Sequence, residues 1–175
     1  MLRFFSPKTK MSWIPYKSKI IGISSFLYAI PFIWGAWPIY ILQAFSSFMS
    51  DFVMTGNDSY WHPFDRLLAT LNTIYVIGNS VLIIPVYYSI TLTICSLSCY
   101  FVSTRFIKRE YMKGYVFFHT LWHVTSSASI SYVMYSACGT PIFNDDCKSK
   151  NIGFIMCNCI YSLDNKHKGN YSVYF

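Results

Sequence analysis

Residues 114–137 read GYVFFHTLWHVTSSASISYVMYSA, 24 consecutive positions without an Asp, Glu, Lys or Arg. At about 1.5 Å per helical residue such a run spans the roughly 30 Å hydrocarbon core of a bilayer. Inside it stand His119 and His123, one helical turn apart and therefore on one face. A titratable side chain at membrane depth is costly and marks a functional site by default, and two imidazoles spaced i, i+4 reach a single metal ion. Metal binding is the first expectation.

Working outward, residues 105–113 (RFIKREYMK) form a basic loop, preceded by a 40-residue apolar run from Asp65 to Thr104. That run is too long for one crossing and divides near Gly78 to Pro85 into a helical hairpin, spans three and four. Residues 55–64 (TGNDSYWHPF) gather Gly, Asn, Asp, Ser and Pro and read as a loop. Residues 38–54 and 20–36 form spans two and one, turned about Gly35 and Pro38. The expected fold is thus all-α, a polytopic transmembrane helical bundle of about five spans. A basic segment (1–19) precedes the helical domain (20–137), and a Cys-containing tail outside the membrane (138–175) follows it.

Composition agrees: 54% of the chain is hydrophobic and only 12% charged, against about a quarter charged in soluble domains. The net charge of +7 falls mainly in two blocks, Lys8 to Lys19 and Arg105 to Lys113, beside apolar segments. That is topogenic charge rather than a nucleic-acid surface, and it assigns both blocks to the cytoplasmic side. Four spans separate them, so count and charge agree, with the N-terminus cytoplasmic and the tail lumenal or extracellular. Nothing in the first twenty residues resembles a cleaved signal peptide. The sequon Asn57-Asp-Ser59 is then expected bare and Asn170-Tyr-Ser172 accessible to glycosylation. Cys95 and Cys99 lie in span four; Cys138, Cys147, Cys157 and Cys159 lie in the tail without zinc-finger spacing, where disulfides are the better expectation.

Three polar stripes run through the spans. Gln43, Ser46, Ser47, Ser50 and Asp51 share one side of span two; Asp65, Asn72 and Asn79 repeat every seven residues on span three; His119, His123, Ser126 and Ser127 share a side of span five. With lipid outside, these faces are expected to meet. Asp51, His62, Asp65 and His119 also fall at one level, His119 roughly 7 Å in from the cytoplasmic side. Ser and Asn residues of this kind also glue membrane helices without chemistry. Haem ligation needs His on facing helices, and here one span carries both; di-iron chemistry needs more than the four histidines present.

Ser47 on span two, Asp65 at the head of span three and the HxxxH of His119 and His123 on the last span together resemble the CREST superfamily of membrane hydrolases. Its members include the alkaline ceramidases, the progestin and adipoQ receptors, the hemolysin-III proteins and the Per1-type lipid remodelling proteins. The resemblance runs discontinuously over residues 38–137 and implies a seven-helix bundle, of which five spans are found here. It also implies a zinc ion held by three His. His119 and His123 fall on two of the ligands, Asp65 on the Asp that orients the catalytic water and takes its proton, and Ser47 on the Ser that hydrogen-bonds the developing oxyanion. The third His belongs four residues after that Ser, where Asp51 stands. Either Asp51 is the third ligand, or His62 supplies it, or the metal is lost. The implied function is zinc-dependent hydrolysis of a lipid amide or ester, with membrane lipids as partners. A non-catalytic receptor or scaffold that keeps the bundle is the alternative.

Overall fold

A computed structural model describes residues 6–9, 11–34, 38–138, 151–152 and 155–156. Gly35, Cys147, Cys157, Cys159 and the Asn170 sequon lie outside the described residues. The described chain is all-α apart from a two-residue antiparallel ladder, Asn151 with Met156 and Ile152 with Ile155. Its helices form five rods at the five expected places. The first is α1 (Lys19–Ser25), a 3-10 turn (Phe26–Ala29) and α2 (Ile30–Ile33). The second is α3 (Ile39–Phe48) continued by a π-type turn (Met49–Val53). The others are α4 (Trp61–Ile83), α5 (Val86–Lys108) and α6 (Met112–Cys138).

The breaks have local causes. Pro31 has no N–H to give the Leu27 carbonyl, so the backbone tightens there into the 3-10 turn, in which Ile30 N–H bonds Leu27 O. Ser127 of α6 donates a second hydrogen bond to the same carbonyl and ties the first rod to the last. Pro85 holds Ile84 extended (φ −121°, ψ 156°) and separates α4 from α5. Glu110, with φ 54°, terminates α5 in the left-handed region, and Arg105 and Lys108 in its last turn suit the negative end of the helix dipole.

Two boundaries differ from the sequence expectation. α4 begins at Trp61, so residues 61–64 are helical rather than loop: the Ser59 side chain accepts from Trp61 N–H at 3.2 Å, and Pro63 sits in the first turn, where its missing N–H costs nothing. The basic stretch 105–113 is mostly helical, leaving a short turn at 109–111.

Burial is inverted relative to a soluble domain. The buried side chains are dominated by Ser, Asn, Gln, Asp and His, including Ser25 and Ser46 at 0%, whereas Ile23 (72%), Leu82 (68%), Ile74 (64%) and Ile94 (59%) face outward. Asp65, Asn72 and Asn79 all point inward, as do Ser89, Ser96 and Ser103, a heptad of small residues along which α5 packs on α6. α4 and α5 are long and apolar enough to cross a membrane. Two apolar clusters bracket the polar interior. Tyr40, Ile84, Ile130, Val133 and Met134 form one, and Met11, Ile21 and Tyr115 the other. Along α6, His119, His123 and Ser127 lie between them.

Candidate metal centre

Asp51, His119 and His123, all buried, come together so that one ligand atom from each lies within 4.8 Å of the others. Asp51 Oδ2 is 3.0 Å from His119 Nε2 and 3.6 Å from His123 Nε2. Ligand atoms on a tetrahedral zinc with bonds of about 2.0–2.1 Å stand about 3.3 Å apart, midway between these distances. A carboxylate oxygen facing two imidazole nitrogens in a closed interior calls for positive charge between them, a proton or a metal ion. The donor set of two nitrogens and one oxygen is one zinc accepts, so the residues fit that ion.

The local sequence explains how each group arrives there. His119 and His123 share the inward face of α6, ring centroids 4.7 Å apart. Asp51 sits in the π-type turn that ends the second rod, where Met54 N–H reaches back five residues to Met49 O at 2.9 Å. Such turns recur at functional sites because the widened backbone re-aims a side chain. Thr55 Oγ1 donates to the Asp51 carbonyl and closes the turn. Aromatic rings wall the imidazoles in: Tyr28 lies edge-on to His123 at 5.2 Å and Trp122 edge-on to His119, also at 5.2 Å.

His123 is held in one tautomer. Ser24 Oγ donates its single proton to Ile21 O at 2.9 Å and is 2.8 Å from His123 Nδ1, so it accepts from Nδ1–H. The Nε2 lone pair is thereby left facing Asp51, the orientation a metal ligand needs. Among the described residues His119 lacks such a support: its buried Nδ1 has no hydrogen-bond partner there, and Asp51 bonds its Nε2. Ser24 was not singled out by the sequence reading. Its one signal is the Ser24-Ser25 pair in an otherwise apolar first span.

Of the two residues expected as a third ligand, Asp51 lies in the cluster with His119 and His123 and His62 does not. His62 donates from Nε2 to Asn57 O at 2.8 Å, and its Nδ1 accepts from Ser50 Oγ at 3.0 Å, so both ring nitrogens are used. It lies outside the three-residue cluster, behind Ser50, whose hydroxyl is also 3.3 Å from Asp51 Oδ1. Ser47 has a different place from the one expected of an oxyanion donor. Its hydroxyl donates to Asp51 Oδ2 at 3.1 Å and lies 3.5 Å from His123 Nε2, so it fixes the carboxylate instead of facing the cavity.

Asp65 accepts from Gln43 Nε2 at 2.8 Å and Ser46 Oγ at 3.3 Å, both on Oδ1. Asn72 Nδ2 in turn donates to Gln43 Oε1 at 3.3 Å. The stripes of the second, third and fifth rods therefore meet, as their helical phase predicts. A cavity of about 410 Å³ opens onto them, lined by Asp51, His119 and Asp65 and walled by Leu97, Tyr100 and Trp122. A smaller one of about 70 Å³ adjoins it, sharing Ala69, Thr73, Leu97 and Trp122 as lining residues. No protein-family model, curated protein or solved structure matches the chain.

Proposed function

We propose that this chain is a multi-pass membrane protein whose Asp51–His119–His123 centre holds zinc and hydrolyses an amide or ester bond of a lipid, in the manner of the CREST hydrolases it resembles. One observation carries the reading: a buried carboxylate oxygen 3.0 and 3.6 Å from two imidazole nitrogens, on the wall of a cavity that also contains a second carboxylate.

When bound, zinc supplies a water of much lowered pKa. The protein's own groups do the remainder. Asp65 accepts both of its hydrogen bonds on Oδ1, so Oδ2 would be the oxygen available to hold a proton as a general base. Gln43 and Ser46 fix its position. Ser47 holds Asp51, Ser24 holds His123, and Tyr28 and Trp122 pack edge-on against the two imidazoles. The apolar part of the larger cavity, beside the smaller one, takes the acyl chain.

The inverted burial supports the membrane setting, because exposed Ile, Leu and Phe around a polar interior is the arrangement lipid selects. All five rods are taken as crossings, with the N-terminus cytoplasmic and the tail lumenal. Purified protein assayed for bound zinc and for hydrolysis of labelled ceramides and glycerolipids tests the proposal. Zinc with turnover supports it. Zinc-free protein that stays folded assigns the Asp51–His119 contact to an ion pair in a non-catalytic scaffold.

A further inference from the structure

The larger cavity is divided by charge. Its depth carries Asp51, His119 and Asp65, whereas Lys8, Arg66 and Lys108 line it from three different segments: the N-terminal strap, the start of α4 and the end of α5. Lys8 is not there by drift of a loose end. Ser59 N–H donates to Pro7 O at 2.8 Å, Thr9 N–H to Asp58 Oδ1 at 2.8 Å, and Arg66 Nη2 to Ser6 O at 3.1 Å, so residues 6–9 are fastened to the 58–66 segment. Neither Lys8 nor Lys108 forms an ion pair among the described residues. Topogenic charge explains lysines at a cytoplasmic helix end, but it does not require three cations to converge on one cavity, nor a strap fastened so that one of them lines it.

Cations held round one opening repel each other and are satisfied by an anion, most effectively one with several acceptor oxygens. Below them the wall turns apolar through Ile74, Leu97, Ile107 and Trp122 toward the smaller cavity. Resting on the membrane-hydrolase reading above, we infer that the cavity takes an amphiphile with a phosphate-class anionic headgroup, the phosphate held by Lys8, Arg66 and Lys108 and the chain lying along the α4–α5 wall. A neutral-headed lipid leaves that cationic ring without its partner.

The test uses full-length protein in phosphatidylcholine nanodiscs, titrated with a single-chain phosphate monoester lipid, with the monoacylglycerol of the same chain, and with inorganic phosphate. The phosphate lipid is expected to bind at least about ten-fold more tightly than the monoacylglycerol, and the exposed-site double variant Lys8→Gln/Lys108→Gln to erase that preference. Arg66 is left intact because it holds the Ser6 and His62 carbonyls. Equal binding of the two lipids, or a preference that survives in the variant, overturns the inference. Inorganic phosphate binding as tightly as the lipid overturns its amphiphilic part. Zinc measured on the same samples separates the two proposals: zinc without headgroup preference sinks this one alone, and preference without zinc sinks the hydrolase alone.

Discussion

Replacing Ser24 by alanine removes the one group that fixes the tautomer of His123. The hydroxyl accepts from Nδ1–H at 2.8 Å while its own proton goes to Ile21 O, and the imidazole it orients is 0% exposed. Without that oxygen, Nδ1–H is left buried and unsatisfied, a cost of about 1–3 kcal/mol. The ring escapes the cost by moving its proton to Nε2, which then points N–H instead of a lone pair at Asp51 and no longer binds metal. Loss of such a supporting hydrogen bond lowers metal affinity by about 10- to 100-fold, or about 1.4–2.7 kcal/mol, the same size as the unsatisfied group. Competitive zinc titration against a chromophoric chelator reads this directly. Ser25→Ala is the matched control: its hydroxyl also bonds Ile21 O, at 3.0 Å, and no bond joins it to His123. If the folded Ser24→Ala protein keeps its zinc affinity within about two-fold of wild type, or Ser25→Ala loses as much, the tautomer argument is wrong.

Other expectations are independent of that one. Asp51→Asn should lower zinc affinity at least about 100-fold by removing the oxygen both imidazoles face, whereas Asp65→Asn should leave zinc bound and remove lipid turnover; equal zinc loss in both would place Asp65 among the ligands. Gly22→Val should lower the unfolding midpoint by an amount corresponding to about 1–3 kcal/mol, because even a Cβ there meets Phe52 Cγ at 2.8 Å, and thermal denaturation at wild-type temperature would show the α1 contact to be soft. In a glycosylation assay in microsomes, Asn57 should stay bare and Asn170 be accessible; a glycan on Asn57 inverts the topology.

Much of the fold is legible in the chain because each helical rod coincides with an apolar run, and the polar groups within those runs turn inward. The five helical rods and the meeting of the Gln43, Asp65 and His119 stripes follow from that rule and from a period of 3.6. Less accessible was anything set by a single backbone group. The earlier start of α4 goes with the local hydrogen bond from Trp61 N–H to the Ser59 hydroxyl, and the aim of Asp51 with a π-type turn that helical phase does not encode. Ser24 and Ser47 show a further gap. Phase gives the face a residue occupies, but whether a hydroxyl faces the cavity or the back of a ligand is decided by the neighbouring helix that competes for its proton. His62 lines the same cavity as Asp51, Asp65 and His119, yet Asn57 and Ser50 engage both its nitrogens, and hydrogen bonds across a loop leave no periodic trace.

The decisive measurement is metal content by mass spectrometry of the intact, detergent-purified protein beside its His119→Ala/His123→Ala variant. A zinc centre at Asp51, His119 and His123 requires about one equivalent in the wild type and essentially none in the variant. Folded wild type devoid of zinc, or a variant that retains it in full, would contradict it.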